Sequence, residues 1–273
     1  MTEVVAARDR SIVTRTDAGI RKQYRRPDPR NNVERAAYAH LADVGGAPVP
    51  RLLSVESDAI VLEDVGRVGD FEHALRAGNA ERAAYELGRA YAALHEVPAP
   101  GPVAQQRLAT SALDAWCAAL DVPPLDVAES EAVFAEPGSM LAFSHGDPAP
   151  SNALVRADGT IVLIDFEYAG ARHRGYDIAA WHVLCPLDEA LLDALHAGYG
   201  VEIDELDAMI RWRAAQVIAM VPLSVLETDR DFAPGWSSRC AVTTAARRGG
   251  FDALHGALAP RWPESADRLP EWR

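Results

Sequence analysis

Cysteine is scarce in this chain of 273 residues, whose three cysteines, Cys117, Cys185 and Cys240, lie far apart. An odd and widely spaced set excludes a disulfide framework and offers no paired thiolate ligands for zinc. The eight histidines form no HExxH or HxH pattern, so a histidine-based zinc site is not expected either. We therefore expect buried thiols in a protein of the reducing cytoplasm.

Long apolar runs are also missing. No stretch approaches the roughly 18 apolar residues that cross a bilayer, and residues 1–8 lack the apolar core of a signal peptide. With 49% apolar and 25% charged residues, the composition is that of a globular protein. We expect neither a membrane segment nor a membrane partner.

Positive charge is in short supply, because 40 acidic residues against 27 basic ones give a formal net charge of −13. Nucleic acid binding needs clustered lysine and arginine, so nucleic acid is not expected as the main partner. An acidic cleft can concentrate a cationic substrate, or the charge can simply keep the protein soluble. Composition alone leaves both interpretations open.

Lysine is the scarcest basic residue. Of the 27 basic residues only Lys22 is a lysine, and all the others are arginine. An ammonium group is a compact, rotatable point charge, whereas a guanidinium is a planar fork with donors in a fixed geometry, so the two are not interchangeable. A single lysine kept in so arginine-rich a sequence indicates a functional position, with chance survival as the alternative.

The stretch 145–177 carries the clearest chemical pattern. It opens with His-Gly-Asp at 145–147, reaches Asn152, and runs through two short β-branched segments to Asp165. Ala-Asp-Gly between the segments is a hairpin signal, which brings Asp147, Asn152 and Asp165 to one end of a small sheet. Mg²⁺ prefers such oxygen ligands together with water and phosphate, and a further carboxylate can orient an acceptor hydroxyl or take its proton. The alternative is an Asp-Pro turn with a strand-end aspartate.

The pattern HGDxxxxN, followed about a dozen residues later by IDFE, resembles the aminoglycoside phosphotransferase and choline kinase family. The resemblance implies an α+β, two-lobed protein-kinase-like fold. A small antiparallel β-sheet with one helix would form the nucleotide-binding lobe, residues 1–66. A larger, mainly helical lobe, residues 67–273, would provide catalysis and substrate binding. The resemblance assigns Mg²⁺ to Asn152 and Asp165, and the acceptor hydroxyl to Asp147.

The N-terminal segment predicts a hairpin around Lys22. Residues 12–16 and 20–24 flank Asp-Ala-Gly, and residues 31–44 predict a helix capped by Asn31 or Asn32. In a kinase-like fold the lysine contacts the α- and β-phosphates and pairs with a helix glutamate, which here is Glu34. The resemblance therefore assigns Lys22 and Glu34 to the catalytic set, with a surface salt bridge as the alternative.

The resemblance also points to the residues that hold the nucleotide base. Glu63, Asp64 and Val65 follow the last predicted strand of the first lobe, where the chain crosses to the second, and Ile164 is predicted to contact the nucleotide as well. The sequence departs from the family in one respect. The first turn, residues 8–11, contains no glycine, so how the phosphates are covered is left open.

A loop near residue 230 is a candidate acceptor site. Glu227, Asp229 and Asp231 follow a predicted helix end, where the helix dipole disfavours negative charge, and they lie close to Trp236. Carboxylates with aromatic rings can form a pocket for a cation. The alternative is a plain solvated loop.

Together these features predict a small-molecule kinase that transfers the γ-phosphoryl group of ATP or GTP, with Mg²⁺, to a hydroxyl of a cationic acceptor. An aminoglycoside or a basic peptide antibiotic is the leading acceptor class, which would give resistance or self-protection. Choline, homoserine, a sugar or a nucleoside are the alternatives. A nucleotide-binding pseudokinase and a magnesium-dependent phosphohydrolase are further possibilities, and the chain is expected to be a monomer or a homodimer.

Overall fold

The N-terminal part of the chain forms an antiparallel five-stranded sheet. Its strands lie in the order β1-β2-β3-β5-β4. They are β1 (Glu3–Ala7), β2 (Ser11–Thr16), β3 (Gly19–Tyr24), β4 (Leu52–Val55) and β5 (Ala59–Leu62). The predicted hairpin is confirmed as the β2–β3 pair, and Lys22 of β3 lies opposite Val13 on one side and Ile60 on the other. Lys22 therefore occupies the central strand of the sheet.

Helix α1 (Pro29–Val44) follows this hairpin, and the predicted cap at Asn31 or Asn32 is wrong. The cap is Asp28, whose side chain accepts a hydrogen bond from the backbone N–H of Arg30. Proline at the first helical position is favourable, because its missing N–H would have no partner inside the helix. The Asp-Pro pair therefore starts the helix ahead of the two asparagines.

The predicted catalytic hairpin is confirmed as β8 (Ala153–Val155) and β9 (Ile161–Leu163). Strand β6 (Gly69–Asp70) pairs with β8 and completes a three-stranded antiparallel sheet. A 3-10 turn, Pro150–Asn152, leads directly into β8. Past the end of β9, the N–H of Ile164 donates to the carbonyl of Asn152 over 2.9 Å. The hairpin thus brings the residue before Asp165 next to Asn152.

The remaining chain is mostly helical, as predicted. Short strands lie at β7 (Leu141–Ser144), β10 (Gly170–His173), β11 (Asp231–Ala233) and β12 (Trp236–Ser237), and β11 pairs with β12. The helices after α1 are α2 (Phe71–Arg76), α3 (Ala80–His95), α4 (Thr110–Leu120), α5 (Ala128–Ala135), α6 (Gly175–Val183), α7 (Glu189–Tyr199), α8 (Leu206–Met220), α9 (Ser238–Arg248), α10 (Asp252–Leu258) and α11 (Pro263–Ala266).

This computed structural model describes residues 3–104, 107–233, 236–266 and 268–269. The chain divides into two compact units. The first comprises the residues up to Gly101, Ala142–Ala171 and Ala194–Val201, and the second comprises the rest. The lobe boundary between residues 66 and 67 stays a prediction. Across the described ranges, no helix combines the length and the apolar character needed to span a bilayer.

Three aromatic side chains pack together in the core of the second unit. Phe134 stacks on Trp212 with ring centroids 4.3 Å apart, and Tyr176 packs against both rings. All three residues are almost fully buried. Large aromatic rings bury much apolar area per residue, so this cluster contributes to the stability of the second unit.

Helices α3 and α7 approach each other closely at two glycines of the first unit. A Cβ atom on Gly88 of α3 would overlap the carbonyl oxygen of Leu195 in α7. A Cβ atom on Gly198 of α7 would overlap the carbonyl oxygen of Tyr85 in α3. The two helix backbones are therefore in contact, and only glycine fits at these positions.

We predict that Gly88→Ala or Gly198→Ala lowers the free energy of unfolding by about 1–3 kcal/mol, the usual cost of overpacking. Gly256→Ala in α10 is the matched control, because no atom lies within 4 Å of its added Cβ. Alanine favours a helix over glycine, so the control should keep its stability or gain up to about 1 kcal/mol. Denaturant unfolding measures all three variants. Equal stability of Gly88→Ala and Gly256→Ala would contradict the close crossing.

Candidate active site

A cavity of about 330 Å³ lies in the first unit. This volume suits a small-molecule site. The residues predicted from the sequence that line the cavity are Lys22, Glu34, Glu63, Asp64, Val65, Asn152, Ile164 and Asp165. The structure therefore brings the predicted nucleotide and metal residues to one place.

Lys22 is held between two carboxylates in this cavity. Its Nζ atom lies 2.8 Å from Oε1 of Glu34 and 2.7 Å from Oδ1 of Asp165. Burial lowers the pKa of Lys22, but the charges of Glu34 and Asp165 outweigh burial and raise this pKa above its ordinary value. The predicted ion pair with Glu34 is confirmed. The second partner, Asp165, ties the central strand of the sheet to the end of the catalytic hairpin.

The two carboxylates have pKa values that are shifted in opposite directions. Burial raises the pKa of Asp165, but the Lys22 ammonium and other nearby positive charges reverse this effect, and the net pKa is lowered. Burial also raises the pKa of Glu34, which is only 2% exposed, and Lys22 offsets that effect only in part. The hydroxyl of Tyr24 donates to the other oxygen of Glu34 over 3.0 Å. Each oxygen of Glu34 thus has its own donor.

Asp165 has an unusual backbone conformation. Its φ angle is +69°, in the left-handed region that non-glycine residues rarely adopt. Aspartate tolerates this region better than most residues, because its short polar side chain can hydrogen-bond locally. Non-glycine residues in this region cluster at functional sites, where the surrounding structure holds the strained backbone in place. The left-handed bend turns the chain immediately after the buried strand β9 and leaves the carboxylate beside Lys22.

His145 connects the loop that contains Asp147 to the segment that precedes Asp165. It is fully buried, its Nε2 atom donates to the carbonyl oxygen of Ile164 over 2.8 Å, and its Nδ1 atom accepts from the N–H of Asp147 over 3.3 Å. Its ring packs against Phe166 with centroids 4.5 Å apart. One imidazole therefore positions the residue before Asp165 and the backbone of Asp147.

Asp147 and Asn152 are joined directly. The side-chain nitrogen of Asn152 donates to the backbone carbonyl of Asp147 over 3.0 Å and to Oδ2 of the same residue over 3.3 Å. Asn152 is 5% exposed, whereas Asp147 is half-buried. Since the amide nitrogen faces Asp147, the orientation of the Asn152 amide is fixed, and its oxygen accepts a hydrogen bond from the hydroxyl of Ser151 over 3.5 Å. Asp147 keeps access to solvent, as a group that meets a substrate must.

The donor set fits a magnesium ion bound together with phosphate. The described ranges hold no cluster of three or more His, Cys, Asp or Glu side chains that could bind a metal by themselves. Mg²⁺ does not require such a cluster, because it is commonly held by one or two protein oxygens plus water and substrate phosphates. The carboxylate of Asp165 and the oriented amide oxygen of Asn152 both line the cavity and provide such oxygens.

The predicted base-binding residues lie at another part of the cavity wall. Asp64 accepts from Nε of Arg15 over 2.6 Å and from the N–H of Gly66 over 3.1 Å. Burial raises the pKa of Asp64, but these hydrogen bonds outweigh it and lower the pKa. The N–H of Glu63 donates to the carbonyl of Arg51 over 2.9 Å, which anchors the segment to the sheet. Their contact with a base stays a prediction.

The predicted acceptor residues lie in the second unit. Glu227, Asp229 and Asp231 are exposed, whereas Trp236 is 3% exposed and packs edge-on against Phe232 with centroids 5.3 Å apart. Asp229 accepts from two backbone N–H groups, those of Arg230 and Arg239. The Trp236 ring is thus buried against the loop, and it is not exposed for contact with a cation. An acceptor role for these residues stays a prediction.

Sequence reasoning missed four residues of the site. Tyr24 has no sequence signal beyond its place two residues after Lys22 on the same strand face. His145 belongs to the HGD motif, but the sequence alone assigns it no role. Arg8 and Arg10 lie in the glycine-free turn and line the cavity. Their signal was present in the sequence, because two of the three residues between β1 and β2 are arginine.

Comparison with known proteins agrees with this geometry. The model of the phosphotransferase enzyme family (APH) matches residues 7–212, a range that includes all the predicted catalytic and metal residues. No curated protein matches the chain by sequence. The match spans well over half of the chain and therefore establishes the family.

Solved structures share the fold at low sequence identity. A choline/ethanolamine kinase family protein from Mesorhizobium loti matches with a TM-score of 0.64 and 17% identity, over 94% of this chain and 92% of its own. An aminoglycoside phosphotransferase from Alicyclobacillus acidocaldarius matches with a TM-score of 0.56 and 15% identity, over 95% and 91%. The streptomycin-ATP-APH(2")-IIa ternary complex matches with a TM-score of 0.55 and 12% identity, over 83% and 88%.

Identities this low establish the fold alone, and the matched proteins act on different acceptors. The family match adds the type of reaction. This chain belongs to the phosphotransferase enzyme family and is a small-molecule phosphotransferase that acts on a hydroxyl acceptor.

Proposed function

We propose that this protein transfers the γ-phosphoryl group of ATP, with Mg²⁺, to a hydroxyl of a small cationic acceptor. The observation that carries the proposal is the Lys22 ammonium, held within 2.8 Å of Glu34 and 2.7 Å of Asp165 in a cavity that Asn152 also lines. In kinase-like enzymes a lysine paired with a helix glutamate positions the triphosphate, and a nearby aspartate holds Mg²⁺.

Lys22 would contact the phosphates of the donor while Glu34 holds it in place. A buried ammonium without partners would be costly, but two carboxylates stabilise its charged form and raise its pKa. The cation is therefore present throughout the neutral pH range. Preorganised charge of this kind needs little rearrangement when negative charge builds up on the transferring group.

Asn152 and Asp165 would hold the Mg²⁺ ion. A bound Mg²⁺ ion would supply positive charge that offsets the negative charge of the phosphates. The protein's contribution is the orientation of the two ligands. The Asn152 amide is fixed by Asp147, and the Asp165 carboxylate is fixed by the bend of its backbone and by Lys22.

Asp147 would orient the acceptor hydroxyl and receive its proton. The acceptor oxygen forms a bond to the γ-phosphorus, the bond from that phosphorus to the β–γ bridging oxygen breaks, and ADP leaves with that oxygen. The hydroxyl proton moves to a carboxylate oxygen of Asp147. Catalysis at such a site is mostly positioning and electrostatic stabilisation, so the carboxylate does not need to be a strong base.

ATP is the favoured donor, because a solved relative of the same fold contains ATP. GTP is the alternative, and the test below includes it. Three exposed carboxylates on the loop of the second unit, Glu227, Asp229 and Asp231, together with the net charge of −13, favour a cationic acceptor. An aminoglycoside or a basic peptide antibiotic is the leading class, which would make the protein a resistance or self-protection enzyme.

A cationic amino alcohol such as choline or ethanolamine is the second candidate acceptor. The observation that favours it is the fold match to a choline/ethanolamine kinase family protein over 94% of this chain. Both acceptor classes carry a positive charge near a hydroxyl group. The compounds of the two classes differ in size, and the acceptor screen described next shows which class is phosphorylated.

An acceptor screen by mass spectrometry tests the proposal. Purified protein with Mg²⁺ and either ATP or GTP is incubated with aminoglycosides, basic peptide antibiotics, choline, ethanolamine, homoserine, sugars and nucleosides. We expect one cationic compound to gain the mass of a phosphoryl group. ADP formation without any acceptor would indicate a phosphohydrolase instead, and nucleotide binding without turnover on any compound would indicate a pseudokinase.

We predict that Asp147→Asn lowers kcat by about 100-fold or more, the usual contribution of a positioned base. The variant should bind ATP with unchanged affinity, because Asp147 acts on the acceptor and not on the donor. Asp43→Asn, which removes the same charge from an exposed position of α1, is the matched control and should keep full activity. Turnover by Asp147→Asn at the wild-type rate would exclude this role.

A further inference from the structure

The turn between β1 and β2 is built without glycine. The N–H of Arg8 donates to the carbonyl of Ser11 over 2.9 Å and closes the turn. Arg8, Asp9 and Arg10 all keep negative φ angles, so the turn needs no glycine to form. The N–H of Arg25 donates to the carbonyl of Arg10 over 2.8 Å and ties the turn to the end of β3.

A turn of this composition meets phosphate in a different way from a glycine-rich loop. Glycine lets backbone N–H groups approach the phosphate oxygens closely, because no side chain intervenes. Here side chains project from every position of the turn. An arginine side chain reaches several ångströms further than the backbone and carries a planar fork of donors that matches phosphate geometry.

Arg10 is anchored at the cavity wall. Its Nη2 atom donates to Oε1 of Glu167 over 3.0 Å, and its Nη1 atom lies 3.8 Å from Oδ2 of Asp28. Asp28 is the cap of α1, and Glu167 follows Asp165 by two residues. These ion pairs hold the turn over the same end of the cavity as the metal-ligand aspartate.

Arg8 is close to that aspartate but only loosely held. Its Nη1 atom lies 4.0 Å from Oδ2 of Asp165, and its side chain is 69% exposed. Exposed ion pairs at this distance contribute little free energy, so the guanidinium can change partner at small cost. The carboxylate that Arg8 faces is the one assigned to Mg²⁺. A phosphate group bound to that ion would therefore lie within reach of Arg8.

The charge balance at this end of the cavity calls for such a residue. Six acidic side chains line the cavity against five cationic ones, and Arg8 and Arg10 are two of those five. A wall with only the other three cations would repel a triphosphate more strongly. Arg8 and Arg10 therefore supply two positive charges from a single turn.

We propose that Arg8 binds the phosphates of the nucleotide donor and that its guanidinium takes the place of the backbone amides of a glycine-rich loop. The proposal rests on the function proposed above. It explains why the turn contains arginine, and how a turn without glycine can cover the phosphates. Arg8 would contact only the phosphates, so its removal should change the affinity only for ligands that carry a phosphate group.

Calorimetric titration of wild-type protein and Arg8→Ala with Mg–ATP and with adenosine tests this role. We expect Arg8→Ala to weaken Mg–ATP binding about tenfold, because the variant loses one charge-assisted contact made by an exposed side chain. Adenosine, which has no phosphate, should bind both proteins equally. The affinity of the variant for Mg–ATP should also depend less on salt concentration, because one charge pair is lost.

Arg26→Ala is the matched control. Arg26 is exposed and does not line the cavity, so its removal changes the net charge by the same amount without touching the site. Its Mg–ATP affinity should equal that of the wild type. Because Arg8 is also exposed, we expect both variants to melt at the wild-type temperature, which separates loss of binding from loss of folding.

The outcomes separate the two claims. Wild-type protein that binds Mg–ATP and phosphorylates an acceptor, with Arg8→Ala binding Mg–ATP equally well, would overturn the role of Arg8 and leave the proposed function intact. An equal loss of affinity for adenosine and for Mg–ATP would also overturn the role, since it would show a structural effect. Wild-type protein that binds no nucleotide would overturn the proposed function and this inference together.

Discussion

The site depends on one interaction, the contact of the Lys22 ammonium with the carboxylates of Glu34 and Asp165. A buried ammonium is unfavourable unless negative charge surrounds it, and a buried carboxylate is unfavourable unless positive charge surrounds it. The two carboxylates therefore stabilise the charged form of Lys22, and Lys22 favours the charged forms of both carboxylates, with Tyr24 as a further donor to Glu34. The central strand of the sheet, the helix beside it and the catalytic hairpin are fixed to one another through this cluster.

The second half of the site depends on a buried histidine and a bent backbone. His145 bonds to the carbonyl of Ile164 and to the N–H of Asp147, while Asp165 adopts a left-handed conformation directly after strand β9. Asn152, at the end of the 3-10 turn that leads into β8, bonds back to Asp147. These contacts join the two halves of the motif in space.

Much of this could be predicted because the signals are local. Both hairpins have turn residues between β-branched runs, and Lys22 and Glu34 stand out by composition and by their place on a strand and a helix. The cap of α1 was missed because an Asp-Pro pair competes with two asparagines close by. The hydrogen bond of Tyr24 and the ion pairs of Arg8 and Arg10 could not be predicted, because they join residues that meet only in the folded chain. The acceptor is a harder problem, since one fold serves many substrates.

The most direct test of the account is the affinity of Lys22→Ala for Mg–ATP, measured by calorimetry on protein that circular dichroism shows to be folded. Removal of the cation leaves two carboxylates facing the phosphates, so we expect affinity to fall by roughly tenfold to a hundredfold, the range for hydrogen bonds to charged groups. Turnover should fall with it. A folded Lys22→Ala variant that binds Mg–ATP and turns over as well as the wild type would contradict the account, because the central cation would then have no part in holding the nucleotide.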